Sequence, residues 1–376
     1  MLIESLKLKN YRNYNNLDIN FSNGLNIFIG DNAQGKTNIL ESIYTLALTK
    51  SYLNVKDNNL IKDGMLFAKL QAIVSSNGSK DKLEILINND AKTTKINGKE
   101  IKKYSDYISK LRVLIFGPNS IGLIKDGPSS RRKFINIEIS QLSNKYVKLL
   151  QNYNIILRQR NELLKLMKTS NKFDNSYLDI INDKFCSLAV DIVIERNKFI
   201  SSINDYIKNI YKKITDYDGL LVKYVSNVEI DEDKNAMKKK MIDKLNSYLD
   251  REKSYGITLL GPHRDDFFFV LNDKELSIYG SQGQFRAAVL SLKLAEIDIF
   301  RDVTKDNPIL LLDDIFSEFD INKKNRLINY ILSDIQTFIT TTDLNMIDNV
   351  LIENATIFKI SCGKLIADEK EGMKDE

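Results

Sequence analysis

The stretch LNIFIGDNAQGKTNILESIYTLALT, residues 25–49, limits what this chain can fold into more than any other. It reads as a short apolar strand, the eight residues G-x-x-x-x-G-K-T, and then apolar residues at helical spacing. That order, strand, glycine loop, helix, is what a phosphate-binding loop requires. Gly30 and Gly35 let the backbone turn its N–H groups toward an anion, across Asp31, Asn32, Ala33 and Gln34. The helix beginning at Lys36 adds the positive end of its dipole. Lys36 is placed to reach terminal phosphates, Thr37 to offer a hydroxyl to Mg²⁺, and Asn38 to complete the first turn. Such a loop implies an α/β fold whose strand is covered on both faces.

A second stretch completes the chemistry. NPILLLDDIFSEFD is a wholly apolar strand that ends in carboxylates. Asp313 is placed to hold Mg²⁺ together with Thr37, and Asp314 to orient or polarise an attacking water. With Lys36 these are the catalytic candidates, and ATP with Mg²⁺ is the implied cofactor pair. A third stretch, YGSQGQFRAA, puts Ser281, Gln282, Gly283 and Gln284 at the start of another helix. By the same physics it is a second phosphate cradle. One nucleotide has one terminal phosphate, so a second cradle is redundant within one chain. It becomes useful if it faces the nucleotide of a second copy, which predicts an ATP-dependent head-to-tail homodimer. The three stretches together are the set found in ABC-type ATPases. Ser317 to Asp320 follow where such proteins run along the dimer seam. Thr341, Thr342 and Asp343 stand at the switch position, and the only histidine, His263, lies elsewhere.

Around these motifs the chain alternates between two textures. LIESLKLKNY, LDINFSNGLNIFIG with SNG as its turn, AKLQAIVSS, DKLEILINND, TTKING and LRVLIFG read as strands. From Arg131 the pattern becomes helical: Leu142, Tyr146, Leu149, Tyr153, Ile156, Leu163 and Met167 share a seam with Arg160 as its only polar member. A second helix, Tyr177 to about Ile214, carries a similar seam, which predicts an antiparallel helical hairpin. Strands return after Gly256, with NDKE as a hairpin turn. The expected organisation is an ABC-type P-loop ATPase head with a mixed sheet and an inserted helical-hairpin arm. The head occupies 1–130 and 254–376, and the arm 131–253.

Composition narrows the setting. The chain has 376 residues and a formal net charge of +5; its pI of about 8.8 is only mildly basic for a nucleic-acid binder. Basic residues cluster at Arg131, Arg132 and Lys133 and again at Lys238, Lys239, Lys240 and Lys244, patterns that a solvated face also explains. Two cysteines in no metal-ligand spacing suit a reducing compartment. No apolar run approaches the roughly 20 residues of a membrane span, and the start of the chain does not read as a signal peptide. The expectation is a cytoplasmic protein without a membrane partner.

These blocks resemble one family, RecF, over nearly the whole chain. LKLKNYRNYNNLDINFSNGLNIFIGDNAQGKTNILESIY, GPSSRRKFINIEISQLSNKYVKLLQNYNIILRQRN, GPHRDD, SQGQ and DDIFSEFD are each similar to a family block. The resemblance implies a slow, DNA-stimulated ATPase that dimerises on ATP, with hydrolysis regulating DNA binding. Double-stranded and gapped DNA and RecR would be partners. With RecO it would place RecA at single-strand gaps, in DNA repair, replication and the SOS response. The resemblance also puts Arg12, in the first block, at the nucleotide. Three departures stand out: Asn119 and Ser120 where an acidic residue is usual, Asn136 for Asp, and KSYLN for an RSFR-like element, so that Leu53 replaces an arginine. The rival readings are a transporter ATPase subunit, which would need a membrane partner, and a short SMC-like protein. Two helices of about 35–40 residues reach only some 50–60 Å at 1.5 Å per residue, an arm too short for a ring. A nuclease-fused defence ATPase finds no room for its second domain.

Overall fold

The alternating segments form strands and the seamed segments helices. The computed structural model describes residues 1–169, 175–315, 334–347 and 349–370. In chain order the first elements are β1 (Leu2–Tyr11), β2 (Tyr14–Asn20), β3 (Leu25–Ile29), α1 (Lys36–Leu48), β4 (Phe67–Ser76), β5 (Ser79–Asn88), β6 (Lys92–Ile96), β7 (Lys99–Glu100), α2 (Ser105–Ile108) and β8 (Val113–Phe116). Then come α3 (Gly122–Lys125), α4 (Pro128–Leu142), α5 (Asn144–Thr169), α6 (Asn175–Thr215), β9 (Leu220–Val225) and α7 (Lys234–Tyr255). The chain continues with β10 (Asp266–Leu271), β11 (Lys274–Glu275), α8 (Leu276–Tyr279), α9 (Gln282–Thr304), β12 (Ile309–Asp313), β13 (Thr337–Thr341), β14 (Ala355–Ser361) and β15 (Lys364–Lys370). No described helix is long and apolar enough to cross a membrane.

Two compact units divide the chain: Met1–Ile121 with Ile210–Tyr217 and Arg286–Glu376, and Gly122–Asn209 with Asp218–Phe285. The first holds two six-stranded sheets. One is antiparallel, in the order β2-β1-β4-β5-β6-β7; the other runs β15-β14-β3-β13-β12-β8. In the second sheet all neighbours are parallel except β15, which returns antiparallel on β14. Helix α1 touches β4 and β5 of one sheet and β8, β12 and β13 of the other. A helix covered on opposite sides buries residues all round, here the polar Glu41, Ser42 and Thr45 as well as the apolar ones. Accordingly Ile39, Leu40, Ile43, Leu46 and Ala47 are fully buried.

The SNG segment does turn the chain, with Ser22 N donating to Asn26 Oδ1 at 2.9 Å. It joins strands of two different sheets rather than a hairpin, because β3 is taken between β13 and β14. Phe28 there stacks on Phe358 at 5.4 Å, and Phe21 meets Phe338 edge-on at 4.8 Å. Aromatic pairs of this kind add about 0.5–1.5 kcal/mol each beyond their buried area.

The second unit is helical apart from the antiparallel sheet β11-β10-β9. The helix expected to run unbroken from Arg131 is interrupted at Ser143, whose backbone is extended (φ −143°, ψ 106°). Its hydroxyl accepts the Tyr146 N–H at 3.2 Å and so caps α5. The expected boundary near residue 253 does not coincide with the division into units. Residues 266–271 pair with 220–225, which ties the chain after Gly256 to the helical unit. The NDKE turn is a two-residue hairpin with Asn272 and Asp273 both at positive φ. Only two residues of β11 follow it, and Leu276–Tyr279 coil into α8 where strand alternation was expected.

Seam residues Leu163, Leu178 and Ile181 form one buried cluster, with Ile156, Met167 and Leu249 packed against it. Arg160 is fully buried, and its guanidinium pairs with Glu252 of α7 at 2.6 Å. Residues Gly261–Asp266 lock onto the α4 arginines. Arg131 forks onto both Asp266 oxygens at 2.7 and 2.8 Å, and Arg132 donates to the Asp265 carbonyl.

His263 sits in the same unit, with Nδ1 2.6 Å from the Tyr153 hydroxyl and Nε2 3.1 Å from the Thr258 carbonyl. Since a carbonyl can only accept, Nε2 carries the proton and Nδ1 accepts from Tyr153. Burial, helped by the nearby Arg264, Arg132 and Arg160 charges, lowers the imidazole pKa to about 4. A free histidine titrates near 6.5, so between these values the unfolded chain binds the extra proton. Stability contributed by the neutral ring is complete above pH 6.5 and is lost as pH falls toward 4. Between pH 7 and pH 5 the loss is expected to be about 2 kcal/mol. Urea titrations at the two pH values should show that difference in the wild type and not in His263→Gln.

Candidate functional site

Parallel strands put their carboxyl ends on one edge, and there the site is built. Register aligns Thr341 of β13 with Ile29 of β3, and Thr340 of β13 with Asp313 of β12. The glycine loop, Asp313, Asp314 and Thr340 therefore meet. Of these, Gly35, Asp314 and Thr340 line an open polar pocket of about 140 Å³ together with Asn32, Ala33, Lys36, Thr37, Asn38 and Thr342, and Asp313 is bonded to that lining through Thr37 and Thr340.

The loop needs its second glycine. Gly35 has φ 114°, and a Cβ there would lie 2.6 Å from Asn13 Nδ2 and 2.8 Å from the Tyr14 hydroxyl. Those neighbours are its braces. Asn13 donates to the Gln34 carbonyl at 2.9 Å and Tyr14 to the Gly35 carbonyl at 3.0 Å. From the β14–β15 turn, Gly363 N donates to the Gln34 carbonyl, and Cys362 N to the Gln34 side chain. Gln34 and Asn38 thus serve the loop's shape, Asn38 through Asn13 Oδ1 at 2.9 Å. No side chain caps the N-terminus of α1; Asn38 N donates to the Gly35 carbonyl at 3.0 Å, and the Lys36 and Thr37 N–H groups are the ones placed for an anion.

Lys36 folds back over the loop, its ammonium 2.5 Å from the Gly30 carbonyl and 2.7 Å from that of Asp31. Burial lowers its pKa, against the pull of Asp314, Asp31 and Asp313. Asp313 is buried, and Oδ1 accepts from Thr37 at 2.9 Å and Thr340 at 2.8 Å. Its Oδ2 accepts from the Tyr52 hydroxyl at 2.8 Å. Asp314 holds a left-handed backbone (φ 52°), and its N–H donates to the Thr340 hydroxyl at 3.0 Å. Burial and the neighbouring Asp313 raise its pKa, while Lys36 opposes the shift. A hydroxyl and a carboxylate oxygen side by side next to a phosphate loop fit Mg²⁺, which prefers oxygen ligands and is usually completed by phosphates and waters. Among the described residues no cluster of three or more His, Cys, Asp or Glu could hold a metal unaided.

Other positions expected at the nucleotide are placed differently. The Arg12 guanidinium forks onto Glu41 of α1 at 2.8 and 2.7 Å, with Asn59 O as its third partner. It does not line the pocket. At the switch position Thr342 faces the pocket, whereas the Asp343 side chain caps its own turn on Asn345 N. Ser317 to Asp320 lie outside the described residues. Asn136 accepts from Tyr146 and Arg196, and Ser120 from Gly117 N.

Ser281–Gln284 belong to the helical unit. Ser281 N donates to Gln284 Oε1 at 2.8 Å and Gln284 N to Ser281 Oγ at 3.3 Å. That reciprocal pair is a capping box opening α9. At Gly280 a Cβ would strike Leu276 O and Phe285 at 2.6 Å. At exposed Gly283 it would meet nothing nearer than Ser281 Oγ at 3.9 Å. Sequence reasoning missed Tyr52 and Thr340, since nothing in a local motif points to a hydroxyl brought in from another element.

A glycine loop entering a helix on a parallel sheet, with an acid pair two strands away, defines the head of an ABC-type P-loop ATPase. The family model described as RecF/RecN/SMC N terminal domain matches residues 2–363. DNA replication and repair protein RecF of Listeria monocytogenes serotype 4b (strain CLIP80459) is 38% identical over 96% of this chain and 99% of its own length. RecF of Ligilactobacillus salivarius (strain UCC118) is also 38% identical, over all of both chains. Among solved structures, the recombination mediator protein RecF–ATP of the RecFOR pathway superposes with a TM-score of 0.91 at 30% identity, covering 98% of this chain and 97% of that one. The Smc head domain from Pyrococcus furiosus shares the fold at 18% identity, with a TM-score of 0.53 over 96% of this chain and 93% of its own. This chain belongs to the RecF family.

Proposed function

We propose that this chain is an ATP-dependent DNA-binding protein with weak, DNA-stimulated ATPase activity. It dimerises on ATP and acts in the recombinational repair of single-strand gaps and in replication-fork maintenance. The observation that carries the dimer is Gly283. Glycine is a poor helix former, and here, in the first turn of α9, its own surroundings leave room for a side chain. The open surface above it suits close approach by something outside the chain, and a partner's nucleotide phosphates match the exposed helix start.

In this reading the loop N–H groups and Lys36 hold the phosphates of ATP. Thr37 and Asp313 would hold Mg²⁺, which supplies charge neutralisation at the phosphates when bound. Asp314, with its strained backbone and raised pKa, orients the attacking water; strain of this kind at a site is a pointer to function. Hydrolysis then regulates DNA binding by dissolving the dimer. Double-stranded and gapped DNA are the proposed nucleic-acid partners, and RecR, with RecO and RecA, the proposed protein partners in the cytoplasm. The solved relative of the RecFOR pathway supports that assignment. Arg131 and Arg132 are engaged by Asp266 and Asp265. Lys238 and Lys240 pair on the surface with Asp183, Glu229 and Asp231. Such exposed pairs are weak enough for phosphates to replace.

Sedimentation with saturating ATP tests the dimer. Asp314→Asn is expected to persist as an ATP-bound dimer and to retain DNA. Ser281→Arg is expected to bind ATP as a monomer and neither dimerise nor turn over. A monomeric Asp314→Asn at saturating ATP would overturn the sandwich.

A further inference from the structure

We propose that Tyr52 is a positioning residue for Asp313, and that its hydroxyl sets how much divalent cation the site requires. The inference rests on the nucleotide reading of the pocket and adds to it Tyr52 of the KSYLN segment, a residue to which no role was given. Three hydroxyls converge on the buried Asp313 carboxylate. Thr37 and Thr340 both donate to Oδ1, and Tyr52 donates to Oδ2. Two donors on one oxygen leave the other free to swing, because the torsion that turns a carboxylate is broad. Tyr52 supplies the contact that fixes the plane, and thereby keeps Oδ1 beside the Thr37 hydroxyl.

The tyrosine can only be the donor, since an ionised carboxylate has no proton to give. Burial, reinforced by the Asp313 charge, pushes the phenol pKa far above its ordinary value, so the donor persists across the working pH range. Its ring meets Tyr44 of α1 edge-on at 5.4 Å. The backbone that carries it is also anchored. Ser51, buried, donates to Glu41 Oε1 at 2.5 Å and accepts the Leu53 N–H at 3.0 Å. Glu41 is itself held by Tyr11 and the Arg12 fork. The chain Arg12–Glu41–Ser51 is therefore the support on which Tyr52 reaches Asp313. It gives Arg12 a part in the site without any contact to the pocket.

The test is binding of a fluorescent, slowly hydrolysed ATP analogue to the full chain, titrated with Mg²⁺ from an EDTA baseline. Tyr52→Phe keeps the ring and its Tyr44 contact and removes only the hydroxyl. It is expected to match the wild type in EDTA and to need about tenfold more Mg²⁺ for half its effect, as loss of an outer-shell partner does. Tyr52→Ala should shift at least as far and also lower the melting temperature. If Tyr52→Phe titrates like the wild type and only Tyr52→Ala shifts, ring packing is the whole role and the proposal falls. A wild type that binds the analogue indifferently to Mg²⁺ overturns the reading of the site and this inference with it.

Discussion

Lys36→Ala is expected to weaken ATP binding by roughly two to five kcal/mol, or about thirtyfold to several-thousandfold, the range found for truncating a buried charged partner. Lys36 as a residue is only 8% exposed, and two loop carbonyls already fix the position of its ammonium. A phosphate entering the pocket meets it without a large ordering cost, and in low dielectric the attraction is strong. The variant also leaves Asp313 and Asp314 facing the phosphates with no positive side chain between them. Equilibrium binding of a fluorescent nucleotide checks it. A threefold loss or less would mean that the loop N–H groups alone hold the phosphates. The fold should survive, since Asp31 is exposed and Gly30 partly so, which lets water take the place of the ammonium at their carbonyls.

The site was legible where chemistry forces residue types into a fixed local order. Gly30–Thr37 announces itself because strand, turn and helix are consecutive, and Asp313 because a wholly apolar strand ends on it. Strands were legible where they are half-buried, as in β4, whose residues alternate in burial from Phe67 to Ser75. What escaped was set by distance along the chain. Tyr52 meets Asp313 across 261 positions, and no periodicity encodes that meeting. The break at Ser143 was hidden because the apolar spacing continues through it, although serine is a good helix cap. The return of residues 266–271 to the helical unit depends on pairing with β9, which a hairpin signal cannot report. Arg12 looked like a ligand because of its block; its partner Glu41 lies on the very helix that the glycine loop begins.

Arg160 is the other position where a large effect is expected. In the seam of α5 it was the lone polar residue. The structure answers it with Asn182 at 2.8 Å, Thr258 at 2.8 Å and Glu252 at 2.6 Å, and with the face of Phe185 at 5.4 Å. Arg160 and Glu252 are both completely buried. Arg160→Met should therefore destabilise the protein by about 3–5 kcal/mol, mostly the cost of leaving a carboxylate buried without its counter-charge. Glu252→Gln added to Arg160→Met removes that charge yet keeps an oxygen for the Leu259 N–H, which Glu252 accepts at 2.7 Å. The double variant should thus recover at least half of the loss, since it no longer buries a charge without its counter-charge. Urea unfolding of the two single variants and the double one closes the cycle. If the losses simply add, the ion pair contributes nothing specific, and the seam is held by Leu163, Leu178 and Ile181 alone. A coupling above about 1.5 kcal/mol would show instead that α5, α6 and α7 are registered on one another by this arginine.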